Sequence, residues 1–150
     1  MTATPLLAPE TADSNSDVLT AFERGTLDPV QFNHRLHLSL AWTYLQRDGF
    51  PEGALHFRRH LRAYVAKVGA EGKYHETITW AYLALLNEEL SLRSPRGESF
   101  DTMIQRRPDL LDHRNGAIAC CYRKAQLDSP DARRVFLLPT IDMSGEERAS

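Results

Sequence analysis

Residues 32–45, FNHRLHLSLAWTYL, decide the fold class of this chain. At about 100° per residue, Leu38, Ala41 and Leu45 lie on one stripe of a helical wheel. This spacing of apolar residues is typical of an amphipathic helix, and the same period recurs through most of the chain that follows residue 16. Because no sustained alternation of apolar and polar residues occurs, the sequence predicts an all-α protein.

Capping residues and helix breakers divide the chain into a helical bundle of three long helices and several short ones. The second helix is predicted to begin at Asp28 or, one turn later, at Asn33, and to end at Gly49. The third covers about 51–69 and the fourth about 74–92. Short connections make successive helices antiparallel, so the N-termini of the second and fourth helices should lie at the same end of the bundle.

The 150 residues are enough for a single hydrophobic core, and we expect one helical domain at 17–138. It should begin with a short helix at 17–24. Flexible tails are predicted at 1–16 and at 139–150, where helical periodicity is lost.

Charge and composition restrict the classes of partner. The formal net charge of −2 gives no basic field for nucleic acid or for an anionic membrane. The longest apolar run, WAYLALL, is far shorter than the ~20 residues of a membrane span. Residues 1–17 lack the basic segment and apolar core of a secretory signal, and the adjacent Cys120 and Cys121 suit reduced thiols. The sequence therefore predicts a cytoplasmic protein with no membrane or nucleic-acid partner, and it leaves a homodimer open.

Three histidines and one carboxylate are predicted to meet at one end of the bundle. His34 and His37 head the apolar stripe of the second helix, and His75 heads that of the fourth, with Glu76 beside it. Buried imidazoles cannot all be protonated, and a divalent metal would accept their lone pairs. We therefore predict a metal site with the ligands His34, His37, His75 and Glu76. Glu76 could instead be catalytic, as the general base on a metal-bound water.

This ligand set suits Zn, Fe, Mn, Ni or Cu. The favoured function is a small metal-dependent enzyme acting on a small-molecule substrate, with hydrolase, lyase and oxygenase chemistry all open. Tyr82, Trp42 and Thr79 would line its substrate pocket. One alternative is a non-catalytic accessory protein that binds a metal or another ligand. Another is a helical interaction module in which the histidines form only a hydrogen-bonded network.

The remaining histidines are weaker candidates. His56 and His60 have the i, i+4 spacing of zinc-binding helices, but the predicted third helix turns them toward its surface, without a carboxylate one turn away. His113 is left open, because it could either join the site as a fourth imidazole or cap a helix end.

The two histidine-containing stretches together resemble a known sequence pattern. F-x-H-x-x-H-L-x-L-A-W-x-Y-L followed by K-Y-H-x-T-I-T is similar to the pattern of an uncharacterised family of small bacterial helical proteins. The resemblance covers the predicted second to fourth helices and brings no known reaction. It implies a shared site at Phe32, His34, His37, Lys73, Tyr74, His75 and Thr77. A looser, architectural likeness is to DinB-type metal-binding bundles, from whose histidine spacing this chain departs.

Overall fold

The structure, a computed structural model, describes residues 10–141, with side chains from Asn15 onward. Within that range it contains helices and no β-strand, so the predicted all-α helical bundle is confirmed. The α-helices are α1 (Glu10–Arg24), α2 (His34–Asp48), α3 (Glu52–Lys67), α4 (Glu76–Glu88), α5 (Phe100–Arg106), α6 (Lys124–Leu127) and α7 (Pro130–Arg134). A π-helical turn, Glu89–Arg93, extends α4, and 3-10 turns lie at Glu71–Lys73, Pro108–Leu110 and Ile118–Cys120.

Helix α1 is longer than the sequence predicts. It begins at Glu10 rather than at Asp17, so residues 10–16 are helical instead of belonging to a tail. Near its C-terminal end, Phe22 is buried and stacks on Phe32 and Phe57, with ring centroids 5.6 and 5.9 Å apart. Such packing stabilises a helix whose own sequence is weakly helical. The other parts of the predicted tails, 1–9 and 142–150, lie outside the described residues.

The start of α2 is set by Asn33, the later of the two predicted caps. Its side-chain oxygen accepts a hydrogen bond from the Leu36 N–H at 2.9 Å. The Asp28 carboxylate instead accepts from the Val30 N–H at 3.0 Å and so closes a turn before the helix. His34 is therefore the first residue of α2.

Helix α2 lies at the centre of the bundle and packs against α3, α4 and α5. Its buried residues cover more than the single stripe that the helical wheel indicates, because it has neighbours on several sides; they are Leu38, Leu40, Ala41, Trp42, Tyr44 and Leu45. The indole N–H of Trp42 donates to the Glu98 carbonyl at 3.2 Å, which joins α2 to the segment before α5.

The chain that follows α7 is bound to α4 through Thr77. The Thr77 hydroxyl donates to the Val135 carbonyl at 2.8 Å and accepts from the Leu137 N–H at 3.0 Å. The Tyr122 hydroxyl donates to the Leu137 carbonyl at 2.7 Å. These bonds place α7, with Arg133, beside the start of α4.

A buried carboxylate that the sequence did not predict lies in the π-helical turn. Glu89 is fully buried, and its oxygens accept from Arg106 Nη1 at 2.7 Å, Arg107 Nη1 at 2.8 Å and Arg93 Nη1 at 3.3 Å. Burial alone would raise the pKa of Glu89, but the bonds from Arg106 and Arg107 outweigh it and lower that pKa. Arg106 also binds Glu98, so the network ties the end of α4 to α5.

Two further features bear on the sequence predictions. Cys120 and Cys121 carry free thiols. Between residues 10 and 141, no helix combines the length and the apolar character that crossing a membrane requires.

Candidate functional site

His75 is the N-cap of α4 rather than a residue on its buried stripe. Its Nδ1 accepts from the Ile78 N–H at 3.1 Å, and its Nε2–H donates to the Leu127 carbonyl at 2.7 Å. One nitrogen therefore carries the proton and the other uses its lone pair. Burial is the main cause that lowers the pKa of His75. Because both nitrogens are engaged, the ring joins the helix start to Leu127 and keeps no lone pair for another ligand.

His34 holds a loop against α2. Its Nε2–H donates to the Leu110 carbonyl at 2.9 Å. The ring lies edge-on to Tyr82 and to His113, with centroids 5.0 and 5.5 Å apart. His113, which the sequence left open, thus approaches His34. Burial chiefly lowers the pKa of His34, and the neighbouring His113 adds to this effect.

His37 has a different environment from the other two predicted ligands. Its ring lies between Phe32 and Phe57, with centroids 5.5 and 5.3 Å away, and it makes no hydrogen bond to any residue in the described part of the chain. Burial, with a smaller effect from His34, lowers the pKa of His37 to about 4. The imidazole is therefore neutral at pH 7 and presents one donor and one acceptor nitrogen.

The hydrogen-bond partners of Glu76 are not the three histidines that were predicted to share a metal with it. Its carboxylate accepts two hydrogen bonds from the Arg58 guanidinium, both at 2.9 Å, one from the Tyr74 hydroxyl at 2.5 Å and one from the Trp80 indole at 3.3 Å. Burial alone would raise the pKa of Glu76, but the bonds from Arg58 and Tyr74 lower it. This carboxylate is thus the centre of an ion pair between α3 and α4, and Arg58 is a partner that the sequence analysis missed.

The four predicted metal ligands do not form one coordination group. His75 and Glu76 use their polar atoms in the bonds just described, and His34 donates to a carbonyl. Among residues 15–141, no three or more His, Cys, Asp or Glu side chains are arranged to hold a metal ion. The geometry therefore gives the metal hypothesis no support, and it stays a prediction. His34 and His75 each donate to a different backbone carbonyl, and the alternative of a histidine network likewise stays a prediction.

The two histidines of α3 each lie near a carboxylate that the sequence did not indicate. His56 Nδ1 is 2.9 Å from an Asp48 oxygen, and His60 Nε2 is 3.8 Å from a Glu23 oxygen. Both rings are half-buried rather than fully on the surface. Each pair joins α3 to a neighbouring helix.

A cavity of about 330 Å³ opens where the first turns of α2 and α4 lie side by side. Its walls are mainly apolar and come from the loop before α2, the second half of α3 and the start of α4. Residues from these walls are Pro29, Phe32, Leu61, Tyr64, Val65, Val68, Ala70 and Ile78. The polar side chains on the lining are His37, Lys73, Tyr74, His75, Thr79 and Arg133. His37 and His75 thus meet at one cavity, as the antiparallel order of the helices predicts.

Of the three predicted pocket residues, one lines the cavity and two do not. Thr79 is buried and lines the cavity. Trp42 is buried in the core, with its indole bonded to Glu98. Tyr82 is 5% exposed, and its buried hydroxyl has no hydrogen-bond partner among the described residues. Neither Trp42 nor Tyr82 belongs to the cavity lining.

Arg133 is a lining residue that sequence reasoning missed. It lies on α7, far along the chain from the histidines, and it reaches the site only because α7 packs on α4. A second cavity of about 550 Å³ lies on the other side of His75 and shares His75, Ile78 and Arg133 with the first. Arg133 therefore stands at the boundary between the two.

Comparisons with known proteins add nothing to this geometry. No protein-family model, curated protein or solved structure matches this chain. The resemblance to the uncharacterised bacterial family stays a prediction.

The low pKa of His37 predicts that acid destabilises the protein. In the unfolded chain a histidine binds a proton below about pH 6.5, whereas folded His37 does so only below about pH 4. Between these values the unfolded state binds more protons, so the free energy of unfolding falls as the pH decreases. We expect His37→Gln to reduce this fall between pH 6.5 and 4.5, measured by urea unfolding. The same pH dependence in both proteins would contradict a half-buried His37 that stays neutral in the folded protein.

Proposed function

We propose that the protein binds a small molecule in the cavity between α2, α3 and α4, as a non-catalytic ligand-binding protein. The observation that carries this proposal is His37, whose imidazole lies on the cavity wall without a hydrogen-bond partner in residues 15–141. A half-buried polar group of this kind gains most from a partner that enters from outside.

The shape and lining of the cavity support a small-molecule ligand. Its volume falls within the range of about 300–1,000 Å³ that small-molecule sites occupy, and such sites combine apolar walls with a few polar groups. Leu61 and Val65 of α3, with Val68 directly after that helix, supply an apolar wall, and Ile78 lines the cavity from α4. The neutral His37 can both donate to and accept from a ligand.

Binding is favoured over turnover because the candidate catalytic groups are already bonded within the protein. Glu76 is held by Arg58 and Tyr74, so it is not placed to take a proton from a ligand in the cavity. Both nitrogens of His75 are in hydrogen bonds. His37 is the remaining candidate base, and a pKa of about 4 makes it a weak one.

The proposal is tested by titrating 15N-labelled protein with 1-hexanol, which has an apolar body and one hydroxyl. We expect saturable chemical-shift changes at cavity residues. Val65→Phe should weaken binding at least fivefold because the larger ring fills the cavity. Val30→Phe is the matched control, since Val30 is 88% exposed and does not line the cavity, and it should bind as the wild type does.

Two results would contradict the proposal. One is the absence of shifts in cavity residues up to the solubility limit of 1-hexanol. The other is about one metal ion per chain in tag-free protein, lost in both His37→Ala and His75→Ala, as measured by mass spectrometry. That second result would favour the metal-dependent enzyme over the non-catalytic ligand-binding protein.

A further inference from the structure

The edge of the cavity carries two positive charges that no carboxylate neutralises. Lys73 and Arg133 both line it, and neither forms an ion pair with a residue of the described range 15–141. One nitrogen of Arg133 donates to the Gly72 carbonyl at 3.1 Å, which leaves its other N–H groups available. No Asp or Glu belongs to the cavity lining.

Three acidic groups near this edge, from α4, the end of α6 and α7, form ion pairs elsewhere. Glu76 is bound by Arg58 and by the Tyr74 hydroxyl. Asp128 lies near His75 but pairs with Lys124 at 2.6 Å, and Asp131 pairs with Arg134 at 3.2 Å. The positive charge of Arg133 also contributes to the lowered pKa of His75, after burial, so its guanidinium lies close to that ring. The cavity lining therefore carries two positive side chains and no negative one.

We infer that the ligand is an organic anion with an apolar body, whose anionic group is bound by Lys73 and Arg133. Its body would lie against Val65, Val68 and Ile78. This inference rests on the proposed function, because it specifies the ligand of the same cavity. The planar guanidinium of arginine matches a carboxylate with two parallel hydrogen bonds, and lysine adds a point charge.

The test compares hexanoate with 1-hexanol in the same NMR titration. Hexanoate should bind at least tenfold more tightly than 1-hexanol, and high salt should reduce the difference because it screens exposed charges. The variants Lys73→Gln and Arg133→Gln should each remove most of the hexanoate advantage, measured within each variant as the ratio of its hexanoate affinity to its 1-hexanol affinity. The matched control is Arg134→Gln, the neighbouring residue on α7, whose side chain is 72% exposed and paired with Asp131.

The outcomes separate the two proposals. Equal binding of the two probes, or tighter binding of 1-hexanol, would overturn the anion inference and leave the proposed function standing. An equal loss of hexanoate affinity in Arg134→Gln and Arg133→Gln would also overturn it, because net charge alone would then explain the effect. No binding of either probe would end the proposed function and the inference together.

Discussion

Replacing Glu89 by glutamine should lower the free energy of unfolding by about 2–3 kcal/mol, the upper part of the range for hydrogen bonds to charged groups. The wild-type carboxylate is fully buried and accepts from Arg93, Arg106 and Arg107. A neutral amide of the same size keeps the packing but removes the negative charge that these guanidinium groups share, while Arg106 keeps Glu98 and Arg107 keeps Asp109. For a protein of this length, such a loss corresponds to a decrease in Tm of roughly 10 °C.

Glu88→Gln is the matched control for this change. Glu88 precedes Glu89 in the chain and has an exposed side chain, so the same substitution should change the free energy of unfolding by less than about 0.5 kcal/mol. Urea unfolding of the three proteins measures both values. A similar, small effect of both substitutions would show that the network does not stabilise the fold.

Replacing Gly53 by alanine should destabilise the protein by about 3 kcal/mol, at the upper end of the usual effect of overpacking. A Cβ at this position in α3 would lie 2.4 Å from the Tyr44 carbonyl oxygen and 3.2 Å from the Leu45 Cα. Both atoms belong to the backbone of α2, so no side-chain rotation relieves the clash. The two helices must move apart, and the contacts around Phe57 and Leu61 are lost with them.

The control for Gly53→Ala is Gly72→Ala. A Cβ at Gly72 meets nothing within 4 Å, and its backbone does not need the left-handed region. Alanine there should be neutral or slightly stabilising, because it restricts the unfolded chain. Thermal unfolding of both variants checks the comparison, and a Gly53→Ala protein as stable as Gly72→Ala would contradict the close approach of α2 and α3.

The sequence predicted those parts of the fold that depend on local patterns. The apolar period of 32–45 and the cap at Asn33 define α2 without reference to the rest of the chain. Contacts between distant residues gave no such signal. Nothing in NEELSLR marks Glu89 as buried, since its two closer arginine partners, Arg106 and Arg107, lie at the end of α5 and just after it. Gly53 is required by Tyr44 rather than by its own neighbours.

The sequence predicted which end of the bundle brings the histidines together, but not the hydrogen bonds that they and Glu76 make. The order of the helices correctly brings His37 and His75 to one cavity. The sequence placed His75 inside α4, and a start at Glu76 makes it a cap whose ring turns back to the Ile78 N–H. That shift of one residue changes the chemistry available to the imidazole. The partner of Glu76 was missed because Arg58 belongs to a run of charges that is typical of a solvated helix face.

Several sequence predictions stay untested. They are the family resemblance, bacterial origin, cytoplasmic location, metal identity and the homodimer. The titrations and the metal measurement test the candidate site independently of these predictions.

The tie between α4 and the residues around α7 has a consequence for synthesis of the protein. Arg133, Val135 and Leu137 leave the ribosome only after α1 to α5 have been made. The central helices can therefore pack while one side of the cavity is still missing. At that stage His75 and Thr77 lack the carbonyl groups to which they donate in the complete fold. A nascent chain interrupted before residue 133 would have most of the core and an open, incomplete cavity. The proposed ligand binding therefore requires residues that are made after the bundle that supports the cavity.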